Sequence, residues 1–268
     1  MIRLDGNSLA AFRGAGVAGT VQSVAGCELF GARRSPLWAS PYSAAATAAL
    51  KAQFSAEQWA TIRDYGFSHP EYIAAINFAA PQDPEIMYSL IPTLGKVRKL
   101  VGDGTAYLSI PIAISTLDRV KIEIENRETA SSYQPFFDTS TYSLACWLSS
   151  SSAVTTLTGT EDMFNCSQGE HIFEKIGGAW YVDGVQKQTK NITETIYDGF
   201  VLFSWSGTKS RVNKGAMKSA VLGNDGSEKF IGVPCEHNGE NGMLDTVHAI
   251  WYGNANSSGS FTISESPA

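Results

Sequence analysis

From Gly95 onward the apolar residues stop recurring at helical spacing and begin to alternate, and that change of period governs what the chain can fold into. The clearest stretch is Asp118 to Glu125, where Val120, Ile122 and Ile124 point one way and Lys121, Glu123 and Glu125 the other. Further strands are legible at Ala106–Ile114, Tyr142–Leu148, His171–Ile176, Ala179–Val182, Phe200–Trp205 and Met217–Leu222. Turn signals punctuate them: Asp103-Gly104, Gly177-Gly178, Asp183-Gly184, Asn224-Asp225-Gly226, Asn238-Gly239 and Asn241-Gly242. A run of short strands with one apolar face each requires a second sheet to cover that face, so the spacing predicts a sandwich or barrel.

The preceding residues read differently. Residues 1–41 are rich in Gly, Ala and Ser with no helical stripe, the pattern of an extended arm. It is either a loose terminus or an attachment segment ordered by a partner, because ordering such a segment costs about 1–2 kcal/mol per residue. Helix signals then occupy residues 42–95. Ser43 precedes the strong helix formers from Ala44 to Phe54, Ser55-Ala56-Glu57-Gln58 is a capping box with Gly66 as its stop, and Ser68-His69-Pro70-Glu71 repeats the device for a helix to Pro81. Asp83-Pro84 opens one more short turn, and Trp59, Ile62, Tyr72, Ile73 and Ile76 form apolar stripes.

Composition removes several function classes. With 268 residues and 43% hydrophobic content the chain can bury a proper core, while a net charge of -6 and the lack of any Lys/Arg run leave no footprint for nucleic acid. Its first residues lack the positive start and apolar run of a secretory signal, and no apolar stretch is long enough to insert in a membrane. The four cysteines, Cys27, Cys146, Cys166 and Cys235, include no C-x-x-C pair and read as buried thiols, with a Cys146/Cys166 bridge as the alternative.

Three stretches resemble the laminin-G-like or concanavalin-A-like sandwich domains of gut bacteria and their phages. They are Leu100-Val101-Gly102-Asp103-Gly104-Thr105-Ala106-Tyr107-Leu108, then Tyr181-Val182-Asp183-Gly184-Val185, and a closing stretch. The last runs from Val233-Pro234-Cys235 through Gly242-Met243-Leu244-Asp245 and Trp251-Tyr252-Gly253-Asn254 to Gly259-Ser260-Phe261. The resemblance implies a mainly β chain: a concanavalin-like jelly-roll sandwich over 96–268, preceded by the small helical subdomain at 42–95 and the arm at 1–41. A family strand that reads Leu-Phe-Gly-Ala-Arg is replaced near Pro135-Phe136-Phe137-Asp138, and the same letters at Leu29-Phe30-Gly31-Ala32-Arg33 are either coincidence or a strand donated by the arm.

Sandwiches of this class also house β-glucanases whose catalytic strand alternates acidic residues. Glu123, Glu125 and Glu128 are therefore weighed as catalytic groups, since residues i and i+2 on one strand face lie about 6.5–7 Å apart, near the spacing that glycoside hydrolysis uses. The neighbours Lys121 and Arg127 favour a solvated mixed-charge face instead, so the expectation is no enzyme. Cys235-Glu236-His237 is too short to specify a metal, and Asp225 and Asp245 are either solvated turn residues or, as the resemblance would allow, contributors to a calcium site; no metal or other cofactor is expected. Sugars are held by rings stacking on their apolar faces. The pleat throws Trp147 away from Leu144, Cys146 and Leu148, and Tyr181 away from Trp180 and Val182, making Trp147 and Tyr181 the candidate glycan-binding residues, with burial in an interface as the alternative.

These readings lead to a non-enzymatic phage virion protein, a head or tail decoration or fibre assembled in the host cytoplasm. The arm engages other virion proteins, copies associate as a homo-oligomer, a trimer, and the sandwich adheres to host-surface glycans. A bacterial carbohydrate-binding surface protein and a glycoside hydrolase are the alternatives.

Overall fold

The structure, a computed structural model, describes residues 50–80, 82–126, 130–139, 144–150, 152–204 and 215–268. The arm over 1–41, its Leu29–Arg33 look-alike, most of the helix expected from Ala44, and the side chains of Cys27, Arg127 and Glu128 lie outside those residues. The chain divides into two compact units, Met1–Met87 and Tyr88–Ala268.

In the first unit the capping box forms as its residues require. The Ser55 hydroxyl accepts from the Gln58 amide, and the Gln58 side chain accepts from the Ser55 amide, opening helix α1 (Ala56–Ser68). Gly66 does not stop it. The helix continues to Ser68 and ends where Pro70 forces the preceding residue out of the helical region, His69 standing at φ -128 and ψ 63. Ser68 does not cap the next helix either, because its hydroxyl turns back to the carbonyls of Asp64 and Tyr65. The chain therefore passes through a single 3-10 turn, Pro70–Tyr72, into α2 (Ile73–Ala79), which has no side-chain cap. The rings of Tyr65, His69 and Tyr72 stack across that break, with Tyr65 and His69 centroids 4.0 Å apart. Asp83 and Pro84 start the last helix, α3 (Ile86–Leu90), as the Asp-Pro signal predicts. No helix among the described residues is long and apolar enough to cross a membrane.

The second unit contains the strands, numbered along the chain and all paired antiparallel. The larger sheet runs from β11 (Val185–Thr189) through β10 (Ala179–Val182), β9 (Gly169–Ile176), β4 (Val120–Asn126), β14 (Ala216–Asn224), β15 (Ser227–His237) and β16 (Glu240–Asp245) to β17 (Ile250–Tyr252). It forks at β14: β15 pairs with its later residues, while β1 (Lys96–Gly102) pairs with Ala216 and Met217 and carries β18 (Phe261–Pro267) on its other side. The smaller sheet orders β2 (Leu108–Ile110), β13 (Phe200–Leu202), β5 (Ala130–Asp138), β6 (Leu144–Ser150), β7 (Ser152–Leu157) and β8 (Thr160–Asn165). A short ribbon joins β3 (Ile114–Ser115) to β12 (Ile196–Tyr197).

The inner faces of the two sheets share one core, to which β4 gives Val120, Ile122 and Ile124, β9 gives Phe173, β15 gives Phe230, β6 gives Leu144, Cys146 and Leu148, and β5 gives Phe136 and Phe137. The alternation read from Asp118 to Glu125 is thus a buried/half-buried alternation along β4. Two polar links stitch the sheets at the β7–β10–β11 end. The Trp180 indole, fully buried, donates to the Thr156 carbonyl at 3.0 Å, and the Thr155 hydroxyl donates to the Gln188 side chain at 3.2 Å. A buried ring with a satisfied N–H combines a large hydrophobic contribution with a fixed orientation. The three described cysteines, Cys146, Cys166 and Cys235, are buried free thiols, so the Cys146/Cys166 bridge does not form.

One core position breaks the apolar rule. Lys175 faces inward between Val120 and Trp180 in the register of the sheet, is 0% exposed, and donates from Nζ to the Asp118 carbonyl at 2.5 Å. Burial pushes its pKa down to about 8 against an ordinary 10.5, with the Asp118 carboxylate opposing that shift. Between those two values the unfolded chain binds more protons than the folded one, so stability rises with pH across that window and is flat below it.

Urea denaturation from about pH 7 to about pH 11 is expected to show that rise, and Lys175→Met to flatten it while stabilising the chain at neutral pH by about 1–3 kcal/mol. In the same assay Trp180→Ala costs about 3–5 kcal/mol. Trp180→Phe, which keeps most of the apolar contact but removes the hydrogen bond to the Thr156 carbonyl, costs about 1 kcal/mol.

Candidate functional site

The structure buries one of the two predicted rings and leaves the other half-buried. Trp147 does point away from Leu144, Cys146 and Leu148 as the pleat dictates, but it is only 2% exposed and packs with Ala145 and Val154 in a small apolar cluster of its own. The outer face of the smaller sheet is covered at that point, which alternation within one strand does not reveal. Tyr181 is half-buried on the outer face of the larger sheet, opposite Trp180 and Val182, with its hydroxyl 3.5 Å from the Gln186 side-chain oxygen. The two rings thus occupy the outer faces of different sheets, and no ligand stacks on both.

The acidic strand is equally clear. Glu123 accepts from Lys121 at 2.7 Å and from Lys218 at 2.9 Å. Burial by itself would raise the Glu123 pKa, but the two ammonium groups outweigh it and hold the carboxyl below the usual carboxylate range. Glu125 and Glu170 both accept from Lys99, whose ammonium burial disfavours and whose two carboxylate partners nevertheless hold above its ordinary pKa. Arg119 bridges Glu174 and Asp225 in the same way. A glycosidase acid needs a raised pKa, and Glu123 has the opposite. The shallow groove of about 220 Å³ over this face, between Lys99, Glu123, Glu170, His171, Asp183 and Lys218, is therefore a lattice of mutually compensated charges.

Other reactive groups are likewise held back. Burial raises the Cys166 thiol to about 11, Asp183 adding to the shift and Lys187 opposing it, and burial pushes Cys146 higher still, so neither is a thiolate at neutral pH. Asp225 is exposed as a turn residue is expected to be, but Asp245 is 0% exposed: one oxygen accepts from the Ile231 and Val247 amides and the other contacts His248 Nδ1 at 2.6 Å. No group of three or more His, Cys, Asp or Glu among the described residues is placed to hold a metal.

A depression of about 310 Å³ lies at one end of the sandwich, between the β15–β16 turn and the β17–β18 loop, lined by Glu240, Asn241, Asn256, Ser257, Ser260 and the backbone of Gly239 and Gly259. Its walls are locked to the β1–β2 loop. Asp103 accepts from the Thr105 amide and hydroxyl, the Ala106 amide and, at 2.6 Å, the Ser260 amide. Burial disfavours its charge, yet these donors hold its carboxyl below the usual range. Asn254 accepts from Tyr107 and Asn256 amides and donates to the Ser258 and Gly259 carbonyls, and the Asn256 side chain donates to the Thr105 carbonyl at 2.7 Å. Gly259 is obligatory: φ is +88, and a Cβ there would stand 1.9 Å from the Thr105 hydroxyl.

The closing stretch of the sequence explains this end of the fold. Asn241-Gly242, read as a turn, is instead interior to β16, where glycine is needed because a Cβ at 242 would stand 2.2 Å from the Tyr252 carbonyl oxygen and one at 253 only 2.4 Å from the Trp251 ring. The indole lies against those two glycines and donates to the Cys235 carbonyl at 3.2 Å. The signal for the depression was present in Asp103-Gly104-Thr105 and Asn254 to Ser260, but pairing two loops so distant along the chain requires the sheet between them.

No protein-family model matches the chain, and no curated protein matches it. Among solved structures it is similar to domains LG4-5 of the mouse laminin α1 chain, at 12% identity and a TM-score of 0.36 over 56% of this chain and 47% of that one. It is also similar to the binding domain of botulinum neurotoxin DC in complex with rat synaptotagmin II, at 10% identity and a TM-score of 0.31 over 48% and 43% of the two chains. A third is a structure of botulinum neurotoxin type C, whose cell entry is described as dependent upon interaction with two ganglioside molecules, at 9% identity and a TM-score of 0.30 over 48% and 43%. The chain spans less than half the length of each. By its own two antiparallel sheets and shared core, the Tyr88–Ala268 unit is an antiparallel β-sandwich.

Proposed function

We propose that the chain is a non-enzymatic display protein whose sandwich binds a ligand at its loop end, and that it serves as a structural or adhesive component of a phage virion. The observation that carries the non-enzymatic part is the pairing of Glu123 with Lys121 and Lys218, which leaves the strand most like a glycosidase strand with an ionised, clamped carboxylate. The loop end supports binding, since a rigid polar depression spends no ordering entropy when a partner arrives. The virion reading draws on the Gly/Ala-rich arm of residues 1–41, suited to docking on other particle proteins in a trimeric assembly, with the sandwich turned toward host-surface glycans. A bacterial carbohydrate-binding surface protein would use the same loop end, and it differs in where the chain resides.

Mass spectrometry of purified phage particles carrying this gene is expected to find the chain in multiple copies; particles without it would overturn the virion assignment. Against a panel of β-glucans, the protein is expected to release no reducing sugar, and Glu123→Gln to change nothing. Hydrolysis by the parent chain that Glu123→Gln removes would establish the glycosidase reading instead.

A further inference from the structure

We infer that the loop-end depression selects an uncharged, hydroxyl-rich ligand, a neutral saccharide, and discriminates against acidic ones. The inference rests on the display reading and adds the ligand class to it. The groups facing the depression that the scaffold has not consumed are mostly acceptors and hydroxyls. The Asn241 side-chain amide gives one of its two N–H donors to the Phe261 carbonyl, and the Ser257 and Ser260 side chains are exposed. Glu240, also exposed, makes no ion pair with a cation among the described residues. Among the described residues, no Lys, Arg or His lines the depression.

Chemistry narrows the occupant from there. An apolar ligand would leave these polar groups unpaired, because the single ring of the lining, Phe261, is 4% exposed and belongs to the core. An anion would face the Glu240 carboxylate, with the Asp103 carboxylate just behind the Ser260 wall and no cation to compensate either. A polyol donates to Glu240 and Asn241 and accepts from Ser257 and Ser260, which matches what is on offer. Recognition is thus by hydrogen bonds in fixed positions and not by ring stacking.

The test is a binding titration of the full chain with neutral galactose-, glucose- and N-acetylglucosamine-terminated oligosaccharides, each beside its sialylated or sulfated counterpart. The parent chain is expected to bind at least one neutral probe and to bind its acidic counterpart about tenfold more weakly or worse. Ser257→Trp, a change at an exposed loop position that fills the depression, is expected to abolish that binding without moving the melting temperature. Glu240→Lys is expected to bring the acidic counterpart to parity with the neutral probe or beyond. Equal or tighter binding of acidic probes by the parent chain, or neutral binding untouched by Ser257→Trp, overturns the inference. So does failure to bind any sugar, and in that case detection of the chain in particles would leave the structural role standing by itself.

Discussion

Mutual burial of two antiparallel sheets' inner faces, pinned where the Trp180 indole reaches across to the Thr156 carbonyl, is the constraint on which the rest of the molecule depends. Once Val120, Ile122, Ile124 and Phe173 are committed to that interior, the alternate residues of β4 and the residues flanking Phe173 in β9 are turned to the other face. The charged ladder of β4, β9 and β14 is the direct consequence. Its residues are on a sheet surface because their neighbours are in the core, and they neutralise one another because like charges opposite each other on a sheet are destabilising.

That arrangement also separates stability from recognition. The broad face of the larger sheet is electrically closed, with each described acidic residue of β4 already answered by a lysine. The loop end is organised differently. Its hydrogen bonds join two connections that are far apart in sequence, Asp103 to Ala106 and Asn254 to Ser260, and tie Asn241 of β16 to Phe261 of β18, so a surface assembled from loops is held on the sheets beneath it. Lys175 shows the cost such a core tolerates: an ammonium group kept inside because one backbone carbonyl receives it.

Sequence reasoning reached β4, β9 and β14 to within two residues at each end, because a period of two is a direct image of half-burial. It was weaker where both faces of a strand are covered. Trp147 is turned away from Leu144, Cys146 and Leu148, yet the face it occupies is buried too, and Lys175 is a charged side chain turned into the interior. Local signals failed where two rules competed. Gly66 reads as a helix stop and Ser68 as a helix start, but the steric demand of Pro70 on His69 decided the break and left Ser68 capping backward. Asn241-Gly242 reads as a turn until β17 is placed beside it, where the Tyr252 carbonyl leaves no room for a Cβ at 242.

By itself, then, the sequence determined the change from helical to alternating period after Gly95, the Ser55 capping box, the hairpin turns at Gly177-Gly178 and Asp183-Gly184, and hence a sandwich preceded by helices. Those properties depend on residues within a few positions of each other, which is as far as periodicity and capping reach. Only the tertiary structure decided that Glu123 is clamped by Lys218 from a strand almost a hundred residues away, that Trp147 and Tyr181 lie on different sheets, and that Asp103 closes on Ser260 to shape the loop-end depression. Each of these is a contact between segments remote along the chain, and the energy that makes such contacts, the joint burial of two sheet faces, exists only after the sheets have formed.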